Sequence, residues 1–190
     1  MKTIDEDIKL ACETLRKGGV ILYPTDTVWG IGCDATRSDA VKRFFEIKHR
    51  ADNKALIVML GDEQSLERYV DDVPEIAYDL IDATVKPLTI VYDGGCNLAP
   101  ELLGEDGSVG IRVTKVELSK AVCYAFRKPI ISTSANISGN PTPQNFYEIE
   151  DEIKQGVDYV AEERREEDEK KSPSSIIKFE KNGTFAIIRE

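Results

Sequence analysis

Apolar residues recur at Ile4, Ile8, Ala11, Cys12 and Leu15, a spacing that lines one face of a helix. Thr3 and Glu6 form a capping-box pair at its start, and Gly18-Gly19 supplies its stop. The pattern then changes to a continuous apolar run, Val20-Ile21-Leu22-Tyr23, closed by Pro24, which predicts a short buried strand. A second helix is expected from Ser38 to about Lys48, burying Val41, Phe44 and Phe45. Leu56 to Leu60 reads as a strand, and Pro74 opens a helix that carries Ile76, Ala77, Leu80 and Ile81. Strands over Leu88 to Tyr92 and Val109 to Val113 flank a glycine-rich loop. Leu118, Ala121, Val122 and Ala125 mark a further helix, and Pro129 to Ser132 a further strand. Near the end, Ser174 to Phe179 and Thr184 to Arg189 are strand-like and joined across Lys181-Asn182-Gly183, a strong hairpin signal. The charged run over residues 161–171 reads as a solvated loop or exposed helix end, with a flap ordering over a ligand as the alternative. Strands and helices alternate without repeat or linker, so the expectation is an α/β fold in one domain over residues 1–190.

Composition adds exclusions. With 190 residues, 41% hydrophobic, the chain can bury a core without disulfide or metal staples. Lys and Arg total 25 against 35 Asp and Glu, and the net charge of −10 argues against coating nucleic acid or an anionic membrane. A local basic cleft is compatible with that balance. His49 is the one histidine, so a multi-histidine metal site is excluded. Cys12, Cys33, Cys96 and Cys123 form no C-x-x-C pair and read as reduced, mostly buried thiols. The polar, acidic start lacks the apolar region of a signal peptide, and runs such as Leu56 to Leu60 are too short to span a bilayer. A cytoplasmic protein is expected.

Candidate chemistry lies in three polar segments. Gly30-Ile31-Gly32-Cys33-Asp34-Ala35 fits a permissive dinucleotide fingerprint but lacks its strand–turn–helix setting. Lys48-His49-Arg50, followed by Lys54, would alone be ordinary helix-end cations. In so acidic a chain they also suit a polyphosphate clamp, Arg50 as a fork and Lys48 as a point charge. Ser132-Thr133-Ser134-Ala135-Asn136-Ile137-Ser138-Gly139 and Pro24-Thr25-Asp26-Thr27 each follow a strand end, where α/β sheets present ligand contacts.

Taken together, these segments resemble the YrdC-like family of threonylcarbamoyl-adenylate synthases. The matching stretches are Tyr23 to Ala35, Lys48-x-Arg50 and Ser132 to Gly139. Lys86-Pro87-Leu88-Thr89, Val109 to Val113, Pro173 to Ile177 and Ile187-Ile188-Arg189 also match, in order. The resemblance implies the short form of the family: a twisted, open mixed sheet with flanking helices and a concave ligand-binding face. It implies an enzyme using ATP, L-threonine and bicarbonate to make threonylcarbamoyl-adenylate and pyrophosphate for tRNA modification. Mg²⁺ would accompany ATP, and later tRNA-modification proteins would be partners. Lys48, Arg50 and Lys54 would hold ATP phosphates, with Lys48 and Arg50 the catalytic cations. Ser134, Asn136 and Thr142 would line the nucleotide side, with Ser108 and Arg189 close by. Thr27, Ser132 and Arg112 would hold threonine, and Ser174 or Ser175 would close the pocket. No metal ligand is implied.

The chain departs from the family pattern in four places. His49 stands where the family has glycine and Ala51 where it has proline. Ala55 interrupts the usual Lys-Pro-Leu, and Val85-Lys86 replaces Pro-Gly. Two alternatives stay open. One is a double-stranded RNA-binding module of the same fold, reading RNA on the concave face. The other is a carbamoyl-phosphate-handling domain, a chemistry usually found in much longer chains.

Overall fold

The computed structural model describes residues 3–50, 56–167, 173–179 and 184–190. Lys54, the later part of the charged run and the Lys181-Asn182-Gly183 turn lie outside the described residues.

Helix α1 (Ile4–Arg16) starts with the capping box: Glu6 N donates to Thr3 Oγ1, and Thr3 N donates to the Glu6 carboxylate at 2.8 Å. Strand β1 (Ile21–Pro24) turns over residues 25–28 into β2 (Trp29–Gly32), its antiparallel partner. Next come α2 (Ser38–Ile47), β3 (Ile57–Leu60), α3 (Glu75–Ala83), β4 (Leu88–Tyr92) and β5 (Val109–Val113). The chain closes with α4 (Glu117–Phe126), β6 (Ile130–Ser134), α5 (Asp151–Gly156), β7 (Tyr159–Val160), β8 (Ser175–Phe179) and β9 (Phe185–Arg189). The expected elements are present. The pattern misses β2, α5 and β7: α5 and β7 are too short to show a period, and the two glycines of β2 depress strand propensity. Gly30-x-Gly32 is therefore strand rather than phosphate loop, and its glycines have a packing cause. A Cβ on Gly32 would lie 2.2 Å from the carbonyl oxygen of Ile131.

Among the described residues the strands form one mixed sheet in the order β7-β1-β2-β6-β3-β5-β4-β8-β9. Alternation divides the core. Val20, Leu22, Ile31, Val58, Ile90 and Ile111 pack on the face covered by α2, α3 and α5. Ile21, Tyr23, Met59 and Ile130 pack on the other face against α1 and α4. Those two helices cover only part of that face. Beyond Met59 and Ile130 the register continues through Ile57, Ser132 and Gly110, and through Gly30 opposite Ser134. Thr89, Ile176 and Arg189 extend the same row across β4, β8 and β9, since Thr89 pairs with Ile176 and Ile176 with Arg189. This uncovered stretch of sheet is where a ligand finds room.

The segment at 161–167 departs from the solvated loop expected of it. The Asp7 carboxylate, 1% exposed on α1, accepts from Glu162 N and Glu163 N at 2.7–3.0 Å and from the Tyr159 hydroxyl. Arg165 lies over the Phe146 ring at 4.8 Å, and Arg164 Nη1 donates to the carbonyl of Thr25. The charged run thus begins as a turn docked against the body. Asp7→Ala leaves those buried N–H groups without an acceptor, so a loss of about 2–3 kcal/mol is expected in denaturant unfolding. Protease sensitivity near Arg164 should rise in parallel, and unchanged stability would contradict the role given to Asp7.

Candidate active site

A cavity of about 300 Å³ opens on the uncovered sheet face, lined by Thr25, Thr27, Gly30, Ile57, Arg112, Ser132, Ser174 and Arg189, among others. A neighbouring space of about 320 Å³ is lined by Lys48, Arg50, Asn136, Ser138 and Gly139. The two share Thr133 and Ser134, so together they form one cleft. Residues far apart in sequence meet there because β6 lies between β2 and β3, and β8–β9 closes the far edge. Among the described residues neither lining contains an aspartate or glutamate, so basic side chains predominate in this part of an acidic protein.

At the first end, Arg112 is 3% exposed on β5. Its Nη2 lies 3.2 Å from Asp26 Oδ1 and its Nη1 donates to Thr27 Oγ1 at 3.4 Å. The Nε of Arg112 and the Oδ1 of Asp26 are buried without a hydrogen-bond partner among the described residues. A buried ion pair that leaves polar atoms unsatisfied is poor as a stability device. The unpaired Nε–H of Arg112 suits an anionic ligand, which would supply the missing acceptor. Thr25 Oγ1 sits 3.0 Å from Thr27 Oγ1 and accepts from Thr27 N at 3.1 Å, which fixes the loop between β1 and β2. Arg189 donates through Nε and Nη2 to the Ser174 carbonyl at 2.9 and 2.8 Å. Ser174 Oγ is 2.9 Å from Thr89 Oγ1. Burial, then repulsion from Arg112, lowers the Arg189 pKa from its ordinary value, consistent with two guanidiniums sharing one cavity.

At the other end, α2 delivers Lys48 as its C-cap residue. The side chain is inward, 2% exposed, and its ammonium donates to the carbonyls of Ser134 at 2.5 Å and Asn136 at 2.7 Å. Ser138 N returns a bond to the Lys48 carbonyl at 2.9 Å. Burial, followed by repulsion from Arg50, lowers the Lys48 pKa to about 8. Asn136 is spent internally: its amide donates to the carbonyls of Ile137 and Asn140 and its oxygen accepts from Ser134 Oγ at 2.5 Å. Glu150 accepts from Ile137 N and from the Asn140 amide, bracing the loop from outside.

The structure thus brings together Thr27, Lys48, Arg50, Arg112, Ser132, Ser134, Asn136, Ser174 and Arg189, with Thr142 exposed on the rim. Two expected residues fall elsewhere. Ser175 pairs with Leu88 one position out of phase with Ile176, so alternation turns it to the opposite face. Ser108 lines neither space; its N–H donates to Asp106 Oδ1 in the loop before β5. Lys48 and Arg50 reach the cleft without an extended chain between them. Lys48 is helical and His49 left-handed, with φ +48°. Sequence reasoning gave no role to Thr25, Thr89, Thr133 or Gln144, which line the cleft or hold its wall. Thr25, Thr89 and Thr133 stood within segments already singled out; Gln144 carried no separate signal.

The Sua5/YciO/YrdC family model, described as telomere recombination, matches residues 13–190, and the chain belongs to that family. It is 35% identical over 159 residues to the threonylcarbamoyl-AMP synthase of Pseudoalteromonas translucida, covering 82% of this chain and 85% of that one. E. coli YciO superposes with a TM-score of 0.83 at 27% identity, covering all of this chain and 91% of its own. P. abyssi Sua5, solved in complex with L-threonine, gives a TM-score of 0.80 at 27% identity; the match covers 90% of this chain and about half, 50%, of that longer one.

The left-handed backbone of His49 explains why glycine is the family residue there. Histidine tolerates this region better than most side chains, and His49 Nε2 reaches Glu152 Oε1 at 3.0 Å on the surface. His49→Gly should therefore leave the thermal midpoint equal or higher, because an exposed pair contributes little. His49→Val, β-branched at positive φ, should cost about 1–2 kcal/mol. Equal stability of the two variants in denaturant unfolding would contradict the backbone explanation.

Proposed function

We propose that the chain is an L-threonylcarbamoyladenylate synthase, a nucleotidyltransferase that joins L-threonine, bicarbonate and ATP and releases pyrophosphate. The product would serve tRNA threonylcarbamoyladenosine modification through later proteins. The observation that carries this reading is a cleft with basic side chains at both ends and no carboxylate in its described lining: Arg112, paired with Asp26, and Arg189 around one cavity, Lys48 and Arg50 around the next. Such a cleft suits two anions side by side, an amino-acid carboxylate and a polyphosphate. The similarity to curated synthases and to a threonine-binding Sua5 supports the same assignment.

In this reading the Arg112 guanidinium takes the threonine carboxylate, while Thr27 and Ser132 contact its side chain. Ser174 and Arg189 form the wall towards the nucleotide. The threonine amine adds to bicarbonate, giving a carbamate and water. A carbamate oxygen then attacks the α-phosphorus as the bond to pyrophosphate breaks. No protein nucleophile is required. Lys48 and Arg50 stabilise charge on the phosphates, and the fixed loop of Ser134 to Ser138 positions them. The ammonium of Lys48 has given two of its protons to carbonyls, which leaves one for a phosphate oxygen. Among the described residues the lining offers no carboxylate to a divalent cation, and Mg²⁺ would be carried by phosphate oxygens of the nucleotide.

The deciding experiment measures pyrophosphate from purified protein with ATP, labelled bicarbonate and each amino acid in turn. Release should require L-threonine and bicarbonate, with serine poorer by about 1–3 kcal/mol for the missing methyl. No release with threonine, alongside tight binding of a short RNA duplex, would favour the RNA-binding alternative.

Arg50→Ala should weaken ATP binding by about 1.5–3 kcal/mol in calorimetry, the usual worth of a charge-assisted contact, while threonine affinity is largely kept. Unchanged ATP affinity would return Arg50 to the role of a helix-end cation.

ATP affinity should also depend on pH. The Lys48 pKa is about 8 in the folded protein against an ordinary 10.5. The ammonium that meets phosphate is present below pH 8 and lost as pH rises through that value, so affinity should fall there. The neutral amine still donates two N–H bonds, so the loop should hold. Folding stability runs the other way: the unfolded chain binds the extra proton between these values, so Lys48 adds stability as pH rises from about 8 towards 10.5. Affinity that is flat through pH 8–9 would contradict a phosphate contact for Lys48.

A further inference from the structure

A second groove, of about 470 Å³, shares no residue with the cleft. It lies where β3 ends at Leu60 and Gly61, between the C-terminal end of α4 and the short 3-10 turn over Glu63–Arg68. Its lining includes Arg68, Arg127 and Lys128 against a single acid, Asp62. Asp62 is already engaged, accepting from Ser65 N and Oγ at 2.8 and 2.9 Å. Lys128 is paired with Asp34 at 2.9 Å. The guanidiniums of Arg68 and Arg127 have no ion-pair or hydrogen-bond partner among the described residues, in a chain with ten more acids than bases.

A second feature points to a ligand. Tyr69 is 8% exposed, its ring packed in the core, yet it lines the groove and its hydroxyl has no hydrogen-bond partner among the described residues. The hydroxyl itself reaches solvent rather than being sealed in the core, so it is free to donate to a ligand in the groove. Beside it Tyr124 is 51% exposed and also lines the groove, offering an aromatic surface. Close packing builds this wall: a Cβ on Gly61 would come within 3.0 Å of Cys123 Cβ.

We propose that this groove binds a nucleotide unit, with Arg68 and Arg127 holding its phosphate and the Tyr69 hydroxyl donating to it. Tyr124 offers a face for the base to stack on. Two unpaired guanidiniums suit the planar, multidentate recognition of phosphate. The volume falls in the range of small-molecule sites. The unit is either a free nucleotide or one residue of an RNA strand, and the assignment is independent of the synthase reading.

The test follows backbone amides of Gly61, Tyr69 and Tyr124 by NMR during titration with AMP, with adenosine and with a 5′-phosphorylated ribonucleotide hexamer. AMP and the hexamer should shift these amides, and adenosine should leave them in place. Arg68→Gln with Arg127→Gln should weaken the response about tenfold or more, with pyrophosphate release from the cleft unchanged. Much tighter binding of the hexamer than of AMP identifies an RNA strand as the source, and equal binding a free nucleotide. The proposal is overturned if the groove amides stay fixed with both phosphorylated probes. It is equally overturned if adenosine shifts them as strongly, or if the folded double variant responds like the parent.

Discussion

A wide sheet face covered along only part of its length governs the rest of this protein. Two helices, α1 and α4, bury Ile21, Tyr23, Met59 and Ile130, and then their cover ends. Beyond that limit Ile57 and Ile176 stay apolar, but other strand residues need not be. They become Ser132, Ser134, Thr89 and Arg112, which line or wall the cleft. On the opposite face α2, α3 and α5 pack on Val58, Ile90 and Ile111. One face therefore supplies much of the stability and the other carries the site.

The uncovered face would be a loose collection of hydroxyls without the loop after β6. Lys48 ties the end of α2 to that loop through two carbonyls and receives a bond from Ser138 in return. Burying an ammonium to satisfy backbone carbonyls is costly, and the depressed pKa of Lys48 is the trace of that cost. The gain is a rigid turn whose cation is already in place. Arg112 is treated in the same manner: buried, held by Asp26 and Thr27, and incompletely satisfied. Both cations are fixed ahead of any ligand, so little reorganisation is left for binding.

The family departure at His49 fits this picture. The backbone there must turn left-handed to send Arg50 back towards the cleft after Lys48 has turned inward. Glycine does this without steric cost, and histidine does it at a modest one while gaining a surface contact with Glu152. The requirement belongs to the backbone rather than to the side chain, so a motif with another residue there keeps its geometry.

Much of this was legible in the chain itself. Helical spacing in α1, α2 and α4, the apolar runs of β1, β3, β4 and β5, and the polar segments at Thr25, Lys48 and Ser132 follow from local periodicity and residue type, which need no partner to be read. The tertiary structure alone decided what depends on pairing. Whether Ser174 or Ser175 faces the cleft is a question of strand phase, and phase is set by the register of β8 against β4. Strand β2 was hidden because its glycines answer to the close approach of Thr25 and Ile131, contacts distant in space from any sequence pattern. The docking of residues 161–167 draws on partners far away in the chain, among them Thr25, Phe146 and the Asp7 carboxylate, the last more than a hundred and fifty positions away. Local pattern reports what a segment prefers; which side chain meets which depends on long-range packing, and that exists only once the sheet has closed.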